Sequence, residues 1–334
     1  MRIAHLPRIG SARHSPPFSS CSRDHRKGRP LGLFLDILVT VTLPIVLLMA
    51  LGWLIQRRLA LDVGTLSRLL VNVILPCALF HFLTSAELPL REVWPTVWFT
   101  VVQFFCLTAI GWAIAALLRM PSELRPVIAV AVAFANSGNF GIPVAQLAFP
   151  PDYLLHQTLI VSLHSILIIP YGVLLLASRA GSLLESLRAF FTSPMIIAVA
   201  IGLLVKGLEI ELPNLVTHPV KIIAGAYIAI ALFTLGAQLA ETKVTVTNGP
   251  VWLTTALKML LAPALTWAFL AVAGFEEGLS DLLVVAAAAP VGLLLAIFCG
   301  AYNRAPDFAS AAVLVSTVLS PFAVTAWILL VRLF

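Results

Sequence analysis

Two asparagines, two glycines and a proline lie in the middle of an apolar run that extends from about Val127 to Phe149. An asparagine amide both donates and accepts hydrogen bonds, so a pair of asparagines suits a polar but uncharged binding site. Glycine permits positive φ and close backbone approach, whereas proline lacks a backbone donor and clashes with the preceding turn. This composition predicts a helix that stops and restarts within the apolar run. The residues assigned to a candidate site on this basis are Asn136, Ser137, Gly138, Asn139, Gly141 and Pro143.

The restart of the helix would itself favour an anionic ligand. A half-helix that begins near Asn139–Pro143 would expose free N–H groups and the positive end of its dipole. Such an end can hold a carboxylate without a buried cation. The alternative interpretation is a kinked helix whose asparagines form hydrogen bonds to neighbouring membrane segments.

A second interruption is predicted between Ala286 and Gly292. The small residues there allow backbones to approach, and Pro290 interrupts the helical hydrogen-bond ladder. Because a single proline is common in a membrane helix, the assignment of Pro290 and Gly292 to the site depends on their pairing with the first interruption.

Asn72, Lys258 and His164 are further polar residues inside apolar segments. Asn72 could contribute to the site or make an interhelical hydrogen bond. Lys258 could face the cavity and attract an anion, pair with a backbone carbonyl, or extend its ammonium group to the membrane interface. His164 could relay protons, although a histidine bonded between helices is the simpler interpretation.

The composition of the 334-residue chain places the candidate site in a membrane. Hydrophobic residues make up 60% and charged residues 11% of the chain, and the mean hydropathy is +1.02. Soluble domains carry about 25% charged residues, so an all-α integral membrane protein is the class that fits. The four cysteines show neither paired nor metal-like spacing, and no GxSxG, HExxH or P-loop motif indicates an enzyme. The basic N-terminal tail lacks the folded basic face that nucleic-acid binding requires.

About ten apolar segments are long enough to cross a hydrocarbon core of about 30 Å at about 1.5 Å per residue. They are predicted at 34–55, 65–83, 94–118, 125–149, 155–178, 193–208, 218–240, 250–274, 281–302 and 308–333. Alternate loops are rich in arginine and lysine, which places those loops in the cytoplasm and both termini outside. The basic tail contradicts this orientation, so either the tail is not translated as written or the count of segments is off by one. The tail itself could be a disordered segment attracted to anionic lipid, a transit-like peptide or an over-extended start.

A weak internal repeat divides the chain into two halves of five segments. Pro44 and Gly52 recur 150 residues later as Pro194 and Gly202. Because five is an odd number, the two halves would have opposite orientations, as in many secondary transporters. The predicted organisation is a disordered basic tail at 1–33, a first repeat at 34–180 and an inverted second repeat at 190–334.

Four motifs carry a resemblance to a known family, and they lie at 43–54, 72–80, 134–143 and 289–311. In this order and spacing they resemble the auxin efflux carrier family, which includes plant auxin exporters and bacterial permeases for dicarboxylates such as malate and malonate. The resemblance extends from about Phe34 to Phe334 and implies ten helices in two inverted repeats, with helices four and nine crossing at Pro143 and Pro290. It also implies a scaffold part, a moving transport part and frequently a dimer. Asn139 adds a second amide to the usual family motif, which leaves the substrate open.

The resulting hypothesis is a secondary transporter of a small organic anion, such as a mono- or dicarboxylate, in the bacterial inner membrane. It would work by elevator-like alternating access about the helix crossing, without a cofactor. Coupling to protons or sodium stays open, because no membrane-embedded acid is evident except Asp36 near the entrance of the first segment, while carbonyls at helix breaks can ligate sodium. The alternatives are a carrier of the bile-acid/sodium symporter type and a non-transporting receptor for similar ligands.

Overall fold

The computed structural model describes residues 30–176, 188, 191–242 and 249–334, and these residues form helices without any strand. The prediction of an all-α fold is confirmed for this part of the chain, while residues 1–29 of the predicted tail lie outside it. The helices are α1 (Leu31–Leu59), α2 (Val63–Ser85), α3 (Arg91–Leu117), α4 (Leu124–Ala133), α5 (Ile142–Ala148), α6 (Tyr153–Leu176), α7 (Pro194–Gly207), α8 (Asn214–Gly225), α9 (Tyr227–Glu241), α10 (Gly249–Ala273), α11 (Glu277–Ala287), α12 (Leu293–Ala301) and α13 (Pro306–Leu333).

Within the described residues, six helical segments are long and apolar enough to cross a membrane. These are α1, α2, α3, α8 together with α9, α10 and α13. Their outward side chains are largely apolar, as Leu47 of α1, Phe105 of α3 and Phe269 of α10 illustrate. Exposed apolar side chains of this kind are expected where a helix faces lipid rather than water.

Four of the described helical segments contain a π-helical turn, and each turn ends two residues before a proline. A proline ring clashes with the carbonyl group four residues earlier in an α-helix, and the wider π turn relieves that clash. The turns and their prolines are Leu38–Thr42 before Pro44, Leu70–Ile74 before Pro76, Ser137–Gly141 before Pro143, and Leu257–Leu261 before Pro263.

Helices α1 and α9 cross at two glycines that leave no room for a side chain. A Cβ on Gly52 of α1 would overlap the carbonyl oxygen of Phe233 in α9. In return, a Cβ on Gly236 of α9 would overlap the carbonyl oxygen of Met49 in α1. Small residues allow this close approach of helix backbones in membranes, so the two glycines fix the register of the pair.

The helices pack in two groups. The first group consists of α1, α2, α7, α8 and α9, in which α9 packs against α1 and α7 packs against α2. The second group consists of α3 to α6 and α10 to α13. The groups meet where α9 contacts the π turn Ser137–Gly141 and α5, where α1 contacts α5 and α13, and where α2 contacts α6. The candidate site in this turn therefore lies at the boundary between the two groups.

Candidate functional site

Two interrupted helices meet backbone to backbone at the candidate site. Helix α4 ends at Ala133, and helix α11 ends at Ala287. The residues that follow form an isolated antiparallel bridge between Ala135 and Val291. The bridge satisfies backbone groups that the interrupted helices leave free, as a membrane interior requires.

Two hydrogen bonds form this bridge. The N–H of Asn136 donates to the carbonyl oxygen of Pro290 at 2.8 Å, and the N–H of Gly292 donates to the carbonyl oxygen of Phe134 at 3.0 Å. The N–H of Val291 donates outward to the Ser316 hydroxyl of α13 at 3.0 Å. The second interruption thus lies between Ala287 and Leu293, within the stretch that the sequence predicted.

The first interruption comes earlier than predicted. The sequence placed the restart near Asn139–Pro143, but helical turns resume at Ser137. The π turn that ends at Gly141 displaces the carbonyl that the ring of Pro143 would otherwise strike. The proline is therefore accommodated inside a continuous helical segment that extends from Ser137 to Ala148.

The N-terminus of this segment carries hydrogen-bond donors. The N–H of Gly141 donates to the carbonyl oxygen of Asn136 at 3.0 Å, so the N–H groups of residues 137–140 have no acceptor within the helix. The side-chain amide nitrogen of Asn136 and the hydroxyl of Tyr227 are buried and have no hydrogen-bond partner among the described residues. Tyr227 belongs to α9, and a Cβ on Gly138 would lie 3.7 Å from its hydroxyl oxygen. Leaving such a donor unpaired costs about 1–3 kcal/mol, so both groups would be stabilised by a ligand oxygen.

Helix α6 packs against the π turn Ser137–Gly141 and forms hydrogen bonds with it. The side-chain amide of Gln157 donates to the carbonyl oxygen of Ser137 at 2.8 Å. The hydroxyl of Ser137 lies 3.0 Å from Nδ1 of His164, so this histidine has the interhelical bond that its simpler interpretation expected. A Cβ on Gly141 would lie 2.6 Å from the Gln157 amide nitrogen, so a larger residue there would push this amide away from its bond to Ser137. Asn139 is half-buried on the same turn.

Lys258 is buried behind the bridge between Ala135 and Val291, the point where the two interrupted helices cross. Its side chain is 1% exposed, and its ammonium group donates to the carbonyl oxygen of Val132, near the end of α4, at 3.4 Å. Lys258 also lines a cavity of about 10 Å³ together with Gln103 and His164. Of the three arrangements considered from the sequence, the structure has the pairing with a carbonyl.

The π turn that carries Lys258 is anchored by α13. In a regular α-helix the N–H of residue 263 would donate to the carbonyl group of Met259, four residues earlier, but Pro263 has no N–H. The indole N–H of Trp327 donates to that carbonyl oxygen instead, at 2.9 Å. The position of Lys258 is therefore fixed by a bond between neighbouring helices.

The crossing is closed to solutes in this structure. A second cavity, lined by Phe140, Gly141, Gln157, Ala286 and Ala289, also measures about 10 Å³. A cavity of this size has room for about one water molecule. Wider clefts of about 570 Å³ and 580 Å³ lie away from the crossing, the first beside His81 and Lys221 and the second beside Gly249 and Asp307.

Comparison with known proteins agrees with this architecture. The family model described as "Membrane transport protein", which represents the auxin efflux carriers, matches residues 37–328 and so includes both interruptions. The chain belongs to the auxin efflux carrier family. It is also similar to an uncharacterized transporter of Methanothermobacter thermautotrophicus, with 23% identity over 295 residues that cover 85% of this chain and 95% of that protein. The resemblance drawn from the motifs is confirmed, and the protein is an integral membrane transport protein.

The structure of this auxin efflux carrier family member does not bring Asn72 to the crossing. Its side chain is exposed on α2, and its amide donates to the carbonyl oxygen of Arg68 in the same helix at 2.9 Å. Asn136, Ser137, Gly138, Asn139, Gly141, Pro143, Pro290 and Gly292 lie at or beside the two interruptions, and Lys258 lies behind them.

Sequence reasoning missed three polar residues of the carrier. Tyr227 and Gln157 contact the turn that starts at Ser137, and Gln103 lines the cavity of Lys258. The side chain of Gln103 also donates to the hydroxyl of Thr266 at 2.5 Å. Each of the three interrupts an apolar segment, so a search for amides and hydroxyls inside such segments would have found them.

Proposed function

We propose that this carrier is a secondary transporter of a small organic anion, such as a mono- or dicarboxylate, that works by alternating access. The observation that carries the proposal is a pair of buried donors, the Asn136 amide and the Tyr227 hydroxyl, that have no hydrogen-bond partner in the described part of the chain and lie beside the helical segment that begins at Ser137. The amide nitrogen and the backbone N–H groups donate hydrogen bonds, and the helix end adds partial positive charge. A carboxylate group is the ligand that would satisfy all of these groups at once.

The charges around the crossing also support an anion. Neither of the two small cavities is lined by an acidic side chain, and the one ammonium group there belongs to Lys258. A cationic substrate would find no carboxylate among these lining residues to balance its charge.

The closed crossing implies that transport requires movement. A cavity that holds about one water molecule is too small for a carboxylate with its carbon chain. Because the turn at Ser137 lies between the two helix groups, sliding the second group past the first would open the turn alternately to the two sides of the membrane. This elevator-like motion is the mechanism that we propose.

We further infer that the helices form ten membrane segments in two inverted repeats. In this scheme α4 with α5, α8 with α9, and α11 with α12 each make up one segment. The packing of α9 on α1 and of α7 on α2 would then be equivalent contacts. Gly52 packs against the backbone of Phe233 in the first pair, and Gly202 packs against the side chain of Leu83 in the second. By analogy with the family, we place the carrier in a bacterial inner membrane and expect a homodimer.

The proposal can be tested by counterflow in proteoliposomes that contain the purified full-length chain. Vesicles preloaded with malonate or malate should accumulate the labelled anion from outside, and Asn136→Ala or Asn139→Ala should lower this exchange at least tenfold. Asn72→Ala is the matched control, because that asparagine is exposed and bonds to its own helix.

Three results would contradict parts of the proposal. Thermal stabilisation by a carboxylate without any exchange would indicate a receptor, since a ligand stabilises the folded state by mass action. Exchange that requires sodium would favour the bile-acid/sodium symporter type. Unchanged exchange in both Asn136→Ala and Asn139→Ala would remove the site from the crossing.

A further inference from the structure

Lys258 lies in a different environment from the proposed carboxylate site. The Asn136 amide and the Tyr227 hydroxyl lie at the boundary between the two helix groups, whereas the cavity of Lys258 is lined only by residues of the second group. Lys258 would therefore travel with the moving group and remain separate from the boundary. A role other than direct contact with the substrate has to explain its buried charge.

The carboxyl ends of two half-helices converge on this cavity. Its lining includes Ala133, the last residue of α4, and Ala287, the last residue of α11. Each helix C-terminus carries a partial negative charge of about half an electron. In transporters built from interrupted helices, such ends are where sodium ions or protons are bound.

We propose that Lys258 is a built-in cation of the helix crossing. Its ammonium group takes the place of the ion that the ends of α4 and α11 would otherwise bind from solution, and it thereby holds the two half-helices together. The expected effects on exchange rest on the proposed transport function, whereas the expected effects on stability do not. It implies that the wild-type carrier works equally well without sodium.

Three observations support this assignment. The ammonium group donates to the carbonyl oxygen of Val132, which belongs to the last turn of α4. The cavity beside it, about 10 Å³, leaves no space for a metal ion with its water shell. The bond from Trp327 to Met259 fixes the π turn that carries the lysine, so its side chain is held in this direction.

The test removes the charge and then supplies it from solution. In Lys258→Ala, the shortened side chain leaves room for a small organic cation. We expect the unfolding temperature of the purified variant in detergent to fall by several degrees and to recover with methylammonium or ethylammonium. Tetramethylammonium at the same ionic strength, which cannot donate a hydrogen bond, should have no effect. Lys221→Met is the matched control, because Lys221 is exposed.

Two further variants keep the test decisive if Lys258→Ala does not fold. Lys258→Arg retains the charge and should keep most of the exchange activity. Lys258→Met has a similar length but no charge, and its exchange should fall more than tenfold. The proposal is overturned if Lys258→Met matches the wild type in stability and exchange, if small cations fail to restore a folded Lys258→Ala, or if wild-type exchange requires sodium. The unfolding measurements need no substrate, so they stand even if the carboxylate proposal fails.

Discussion

The ring of Phe134 lies directly over the α-carbon of Gly292, while the carbonyl oxygen of Phe134 accepts a 3.0 Å hydrogen bond from the Gly292 N–H. A single pair of residues therefore joins the two interrupted helices by both a backbone bond and a packing contact. Any side chain at Gly292 would overlap the ring, so the glycine is required by the geometry of the crossing.

Gly292→Ala should disrupt this contact. Forcing a methyl group against the Phe134 ring should lower the free energy of unfolding by about 1–3 kcal/mol and reduce exchange. Thermal unfolding and counterflow would measure the two effects. Gly300→Ala, in the helix α12 that follows Gly292, is the control, since a Cβ there meets none of the described residues within 4 Å. Equal behaviour of the two variants would show that the crossing tolerates a wider spacing.

Tyr227→Phe should separate function from stability. The hydroxyl has no partner among the described residues, so its removal should leave the unfolding temperature unchanged or raise it. A hydrogen bond to a charged ligand contributes about 1.5–3 kcal/mol, so the affinity for the carboxylate should fall about tenfold to a hundredfold. Ligand-induced thermal shifts would report the affinity, and unchanged affinity would exclude the hydroxyl from the site.

Trp327→Phe should lower the stability of the fold, because it removes the N–H that donates to the carbonyl oxygen of Met259. Without the indole N–H, the buried carbonyl oxygen loses this donor, which costs about 1–3 kcal/mol in the free energy of unfolding. In a Pro263→Ala background the alanine can donate its own N–H within the helix, so the same tryptophan substitution should cost less. Unfolding of the two single variants and the double variant measures this coupling. Additive losses would mean that the missing proline donor is not what Trp327 replaces.

Gly52→Ala and Gly236→Ala should each weaken the pairing of α1 with α9. The new methyl group would meet a backbone carbonyl that cannot move aside, and the cost should be about 1–3 kcal/mol or more. Gly32→Ala, in the same helix α1, meets nothing within 4 Å and should instead stabilise the helix by up to about 1 kcal/mol. If Gly52→Ala proved neutral in thermal unfolding, the close register of these helices would be wrong.

Features of the site can be predicted from the sequence wherever the type of a residue restricts the backbone conformation it can adopt. The cluster of asparagines and glycines at 136–141 predicted an interruption, because a uniform helix in a membrane has no use for them. The predicted restart near Asn139–Pro143 is too late because Pro143 was counted among the residues that break the helix, whereas the π turn before it accommodates the ring. Sequence pattern does not distinguish a proline that ends a helix from one that widens a turn.

Contacts between distant segments could not be predicted from the sequence. The approach of Tyr227 to Gly138 depends on how α9 packs against the turn, and no local pattern encodes that distance. Asn72 also depends on such packing. The sequence left open whether it contributes to the site or bonds between helices, but its amide bonds to Arg68 of its own helix, on the exposed side of α2.

The bridge between Ala135 and Val291 also sets an order of events during biosynthesis. The two bridged segments lie in opposite halves of the chain, so the first half enters the bilayer before the N–H of Asn136 and the carbonyl group of Phe134 have their hydrogen-bond partners. Placing these unpaired groups in hydrocarbon costs free energy until the residues around Pro290 and Gly292 have been synthesised and inserted. A chain truncated before Pro290 should therefore be poorly retained in the membrane and rapidly degraded, even though most of its apolar segments have been made.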